Sequence, residues 1–145
     1  MADTRVKVLM RALKQDEGYC PMLSDVIEGY RDRVLEVVPE EFLVVNEDER
    51  DEEVTEYIKE SLWTFNPSFL AGQTGIDEAV FEALQPQCEG ANEAILSIVE
   101  REPGLEEFVQ TAVGCDGYGH FLNNWNGGEI ELQYRGEWWY VYRIN

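Results

Sequence analysis

Ten carboxylates and two cations fall between Glu40 and Glu60, a net charge of −8 in one short stretch. Ionised carboxylates are rarely buried without a partner, so any fold must find surface or counter-charge for this run. Val54, Tyr57, Ile58, Leu62 and Phe65 recur through it at helical spacing, and Asn46 is placed to cap the start. The spacing predicts a helix from about Asp48 to Phe65, with Glu52, Glu53, Glu56 and Glu60 mostly opposite its apolar stripe. Like charges three or four residues apart cost on the order of a few tenths of a kcal/mol per pair. Acids in the first turn recover part of that from the helix dipole.

The whole chain carries 30 acids against 11 lysines and arginines, a formal charge of −19 over 145 residues. Such a protein repels nucleic acid and acidic membranes. It attracts basic surfaces, and the commonest large ones in a cell are built to hold DNA or RNA. A hydrophobic fraction of 44% with 12% aromatics is too high for a disordered acidic tail. The expectation is a folded core under an acidic surface. Halophilic adaptation also yields acidic chains, but Glu outnumbers Asp by 22 to 8 and large apolar residues remain abundant, which fits a local acidic device better. No apolar run reaches the ~20 residues of a membrane helix, and residues 1–16 lack a secretory pattern. Cys20, Cys88 and Cys115 are far apart and odd in number, as in a reduced cytoplasmic protein.

The expected fold class is α+β in a single domain, residues 1–145: about six helices over 1–113, then a Gly/aromatic loop and an antiparallel β-hairpin over 114–145. Thr4–Lys14 reads as a helix with Val6, Leu9, Met10 and Leu13 inward. Ser24 to Val38 reads as a second, capped by Ser24 and stopped by Pro39. After the acidic helix, Asn66-Pro67 starts a turn and Gly72 and Gly75 bracket a bend. Short helices follow over 77–84 and 89–101, and another opens at Pro103. From Gly114 the pattern changes. Glu129–Tyr134 and Glu137–Ile144 alternate around Arg135-Gly136, a hairpin signature. Two strands alone are marginal, so the hairpin must pack on the helices or gain a third strand.

Asp116-Gly117-Tyr118-Gly119-His120-Phe121-Leu122, then Gly127-Gly128-Glu129 and the terminal Tyr140-Val141-Tyr142-Arg143-Ile144-Asn145, resemble the C-terminal half of a small protein family from bacteriophages and other mobile elements. Phe69–Ile76 and Cys88–Ala94 resemble it too, so the likeness covers roughly residues 60–145. The resemblance carries no catalytic residue. It implies a phage-type accessory protein acting in the host bacterial cytoplasm.

The leading functional expectation is a phage-encoded, non-enzymatic inhibitor of a bacterial nucleic-acid-handling defence system, restriction or an RNA-guided effector. In this reading Glu47, Asp48, Glu49, Asp51, Glu52, Glu53, Glu56 and Glu60 form an outward row. The row imitates phosphates and occupies a basic groove through charge-assisted hydrogen bonds. The partner is a basic, nucleic-acid-binding host protein, with no direct binding to nucleic acid or membrane. Trp125, Trp138, Trp139 and Tyr140 are candidate aromatic contacts, since Trp and Tyr dominate interface anchors. Alternation puts Trp138, Tyr140 and Tyr142 on one face of the last strand and Trp139 and Val141 on the other.

Two alternatives remain open. Cys115, Asp116 and His120 offer a site for a small ligand or a Cys–His nucleophile. The acidity could instead serve only the solubility of a structural or regulatory protein that forms a homodimer. No cofactor and no metal site is expected. The acid run lacks the glycine of a calcium loop, and no Cys-x-x-Cys pair accompanies His120.

Overall fold

The computed structural model describes residues 2–145, with side chains from Thr4 onward. The chain divides into two compact units: Met1–Glu53 together with Tyr118–Asn145, and Val54–Gly117.

The first unit is built on a five-stranded antiparallel sheet in the order β1-β2-β3-β5-β4. Its strands are β1 (Ile27–Glu28), β2 (Val34–Val37), β3 (Glu40–Asn46), β4 (Ile130–Tyr134) and β5 (Glu137–Arg143). The predicted hairpin is β4–β5, turned by Arg135 (φ +54°) and Gly136 (φ +80°) and paired from Tyr134↔Glu137 to Ile130↔Val141. It gains a third strand in β3, which lies along β5 in the register Val44↔Val141.

One face of the sheet packs against α1 (Ala2–Glu17), whose Val8, Leu9, Ala12 and Leu13 are fully buried beside Phe42, Val44, Leu132 and Trp139. Each fully buried leucine there contributes roughly 1.5–3 kcal/mol. The inward stripe is Val8, Leu9, Ala12 and Leu13, so Val6 packs at its edge and Met10 is only partly buried. The opposite face carries Val34, Leu43, Val45, Tyr140 and Tyr142, also buried.

The expected helix from Ser24 to Val38 is not formed. Leu23–Asp25 is one 3-10 turn, and the segment after it makes β1 and β2. Val34 and Leu35 face opposite sides of the sheet, and both are buried because both sides are covered. Gly29 in the middle of the segment also suits the sheet. A Cβ there would sit 2.6 Å from the Val34 side chain. Phe42–Val45, without a clear type in the sequence, is the centre of β3.

The second unit is helical. It holds the C-terminal part of α2 (Glu47–Glu60), then α3 (Pro67–Thr74), α4 (Glu78–Leu84), α5 (Asn92–Arg101) and α6 (Leu105–Asp116). The α2 helix stops at Glu60, short of Phe65, and a 3-10 turn, Leu62–Thr64, follows. Asn92 locks that turn, accepting from Trp63 N–H at 3.2 Å and donating to the Lys59 carbonyl at 2.8 Å. Asn66-Pro67 begins a helix, α3, rather than a turn. Asn66 caps it and left-handed Gly75 ends it. Phe65, Phe69 and Phe108 form an aromatic cluster with centroids 5.3–6.0 Å apart. Helix α6 starts at Leu105 after Gly104, not at Pro103, and it runs through Gly114 to Asp116.

The α+β class and the C-terminal hairpin therefore hold. Among the described residues no helix is long and apolar enough to cross a membrane.

Candidate functional site

The acidic helix begins as its sequence suggests. Asn46 Oδ1 accepts the Glu49 N–H at 2.9 Å, and Glu49 Oε1 accepts the Asn46 N–H at 3.1 Å. This reciprocal capping box satisfies two backbone donors. The carboxylates of the following turns do not stand free. Arg5, reaching from α1, grips Glu49 with two bonds of 2.6 Å and also donates to the Val44 carbonyl at 2.8 Å. Arg33 meets Glu52 at 2.7 Å, Glu53 at 3.2 Å and Glu49 at 3.7 Å, and Arg31 meets Glu53 at 2.7 Å.

The β1–β2 loop is shaped to deliver these arginines. Arg33 is left-handed at φ +74°, and its carbonyl accepts the Val44 N–H at 2.8 Å. Burial alone would raise the Glu49 carboxyl. The hydrogen bonds from Arg5 and the Asn46 backbone, with the charges of Arg5 and Arg33, hold it below the usual carboxylate range. Glu49, Glu52 and Glu53 are thus not part of an outward row of unpaired charge. Arginines distant in sequence have folded onto them.

A second cluster lies one residue on. The Arg50 guanidinium sits 3.8 Å from the Tyr118 ring centroid and 3.7 Å from that of Tyr140, and it meets Glu129 at 3.4 Å. Tyr142 donates its hydroxyl hydrogen to Glu129, and Tyr118 donates to Asp51 at 2.6 Å. Burial first, then Asp51, pushes the Tyr118 hydroxyl up to about 12. Burial and Glu129 also raise Tyr142. Tyr118 belongs to α7 (Tyr118–Leu122), which brings its own ring to the clamp. Gly119 must be glycine there, because a Cβ would lie 2.1 Å from the Gly127 carbonyl oxygen. Arg50 therefore ties α2 to β5 and α7 and takes Asp51 with it. Its Nε is buried and, among the described residues, has no hydrogen-bond partner.

The remaining candidates are dispersed. Glu47, Asp48, Glu56 and Glu60 are exposed and, among the described residues, make no ion pair. Trp139 and Tyr140 are in the core at 5% and 4% exposure, which removes them as surface contacts. They are buried because both faces of β5 are covered, not one. Trp138 and Trp125 stay exposed. Trp125 rides on Arg143 at 3.8 Å, in a loop where Asn123 Oδ1 accepts the N–H groups of Trp125, Asn126 and Gly127. Cys115 and Asp116 end α6, both exposed, and Cys115 is a free thiol. His120 lies in α7, exposed, edge-on to Phe121 at 4.9 Å. Among the described residues no group of His, Cys, Asp and Glu side chains is arranged to hold a metal ion.

The larger free acidic surface lies where the sequence is less dense in acid. Val54–Gly117 carries twelve carboxylates against Lys59 and Arg101, a net −10. All twelve are exposed. Among the described residues none meets an arginine or lysine at ion-pair distance. Glu60, Glu82, Glu100 and Asp116 stand in the last turns of α2, α4, α5 and α6, where the negative end of the helix dipole opposes a carboxylate. The absence of any lysine or arginine between Glu60 and Glu100 is the sequence signal for this surface. No protein-family model, no curated protein and no solved structure matches the chain.

Proposed function

We propose that the protein is a non-enzymatic acidic inhibitor that docks on the basic nucleic-acid-binding groove of a bacterial defence protein, a restriction enzyme or an RNA-guided effector. One observation carries this reading: the twelve carboxylates of Val54–Gly117 are exposed and, among the described residues, lack a counter-charge at ion-pair distance. Four of them oppose a helix dipole, so they cost the fold a little rather than stabilising it. Arginines and lysines of a partner would supply both the missing counter-charge and charge-assisted hydrogen bonds. The phage setting comes from the resemblance of residues 60–145. The contributing residues of α2 are Glu56 and Glu60, whereas Glu49, Glu52 and Glu53 are held by arginines of the first unit.

The test is DNA cleavage by a panel of restriction enzymes and RNA-guided nucleases with the protein present. The expected result is inhibition of at least one, competitive with duplex DNA and relieved between about 50 and 200 mM salt. Replacing Glu60, Glu82 and Glu100 with Gln and Asp116 with Asn should remove it. Inhibition that persists unchanged in that variant, or no inhibition across the panel, refutes the proposal.

A further inference from the structure

Among the described residues, six of the eleven large apolar side chains left exposed fall between residues 19 and 38: Tyr19, Met22, Leu23, Ile27, Tyr30 and Val38. Scattered exposed apolar residues need no explanation, whereas a cluster marks a docking surface. Four of the six, Tyr19, Met22, Ile27 and Val38, line a cavity of about 610 Å³ together with Pro21. Met22 and Val38 are 70% and 69% exposed. The wall is shaped in advance. Met22 donates its N–H to Asp25 Oδ2 at 3.2 Å, and Asp25 returns its own N–H to the Met22 carbonyl at 2.9 Å. The groove borders β1, one of the two edge strands of the sheet.

Its surroundings are acidic. Asp25 is in the wall, and Glu36 is the cross-strand partner of Ile27. Burial first, then Glu40 and Glu17, raises the Tyr19 hydroxyl, which places two further carboxylates at that end. The cation acting there, Arg143, is ion-paired with Glu40 at 3.5 Å. A second copy of this chain would bring the same acids face to face, and an anionic lipid surface would be repelled. Apolar walls inside a carboxylate rim suit large apolar side chains flanked by positive charge.

We propose that this groove binds a short segment of a partner protein that carries large apolar anchors beside lysines or arginines. The groove belongs to the first unit, so the proposal is independent of the acidic surface of Val54–Gly117.

Cys20 lines the groove and is a free thiol, as are Cys88 and Cys115. In a Cys88→Ser, Cys115→Ser protein, the rate of Cys20 reaction with a thiol reagent reports occupancy. The probe is a short peptide of alternating leucine and lysine, compared with one of alternating serine and lysine. The leucine–lysine peptide should slow the reaction about tenfold or more, and the serine–lysine peptide should not. Adding Met22→Asp and Val38→Asp, both at exposed positions, should abolish protection with the circular dichroism unchanged. Equal protection by the two peptides overturns the proposal, as does protection that survives the aspartates. A dimer in sedimentation that these aspartates dissociate also overturns it, by making a second copy the occupant.

Discussion

The two units carry nearly the same net charge, −9 and −10, and hold it in opposite ways. The sheet unit has 18 acids and nine cations. Arg5, Arg31, Arg33, Arg50 and Arg143 are each ion-paired with a carboxylate. The helical unit has twelve acids, two cations and no such pair among the described residues. Acid density along the chain is therefore a poor guide to free charge in space. The densest run, Glu47–Glu53, is the one the fold compensates most. The first unit uses carboxylates as structural partners, and the second leaves them to solvent or to a partner protein.

The two units differ most at Arg50. Arg50→Ala should cost roughly 2–3 kcal/mol in urea unfolding, because the guanidinium stacked on Tyr118 and Tyr140 is lost and Glu129, which also accepts from the buried Tyr142, is left without its cation. Arg50→Lys should recover little, since an ammonium lacks the planar faces that stack on Tyr118 and Tyr140. A loss no larger than that from removing an acid of the helical unit would erase the distinction.

Tyr118→Phe removes one hydrogen bond to an ionised group, and the expected loss is about 1.5 kcal/mol in the same measurement.

Glu49 sharpens the contrast through pH. Its folded carboxyl is depressed, so its contribution is complete above the unfolded value of about 4.3. It is lost as pH falls below that and through the folded value. Unfolding free energy measured from neutral to acid pH should fall less steeply in Glu49→Gln than in the parent. Parallel curves would show that the Arg5 grip adds nothing to stability.

The smallest effect has the opposite sign. Glu60→Gln, Glu82→Gln, Glu100→Gln and Asp116→Asn relieve four unfavourable dipole contacts, each worth about 0.3 kcal/mol at an exposed site. Thermal unfolding should shift slightly upward, and less so in high salt. A clear destabilisation would mean that these acids have structural partners after all.

Much of the fold was legible locally. The first helix follows from apolar spacing, the hairpin from alternation around Arg135-Gly136, and the start of α2 from Asn46. The error at Ser24–Val38 has a physical cause. Val34, Leu35 and Val38 match a helical stripe as well as they match a strand, and only pairing with β3 decides between them. The burial of Trp139 and Tyr140 was equally illegible. Alternation says that they face opposite ways, not that both sides are covered. Of the candidate site, the acids could be read and their partners could not.

Composition establishes that this chain folds and that it is acidic, and residue order establishes that positive charge is absent from Glu60 to Glu100. Local periodicity determined where most helices and the last two strands lie, because those signals arise from residues a few positions apart. Only the tertiary structure decided which carboxylates are spent inside the fold. Arg5 and Glu49 are 44 residues apart, and Arg33 and Glu52 are 19 apart. An ion pair depends on distance through space, and no local pattern specifies which distant arginine will arrive there.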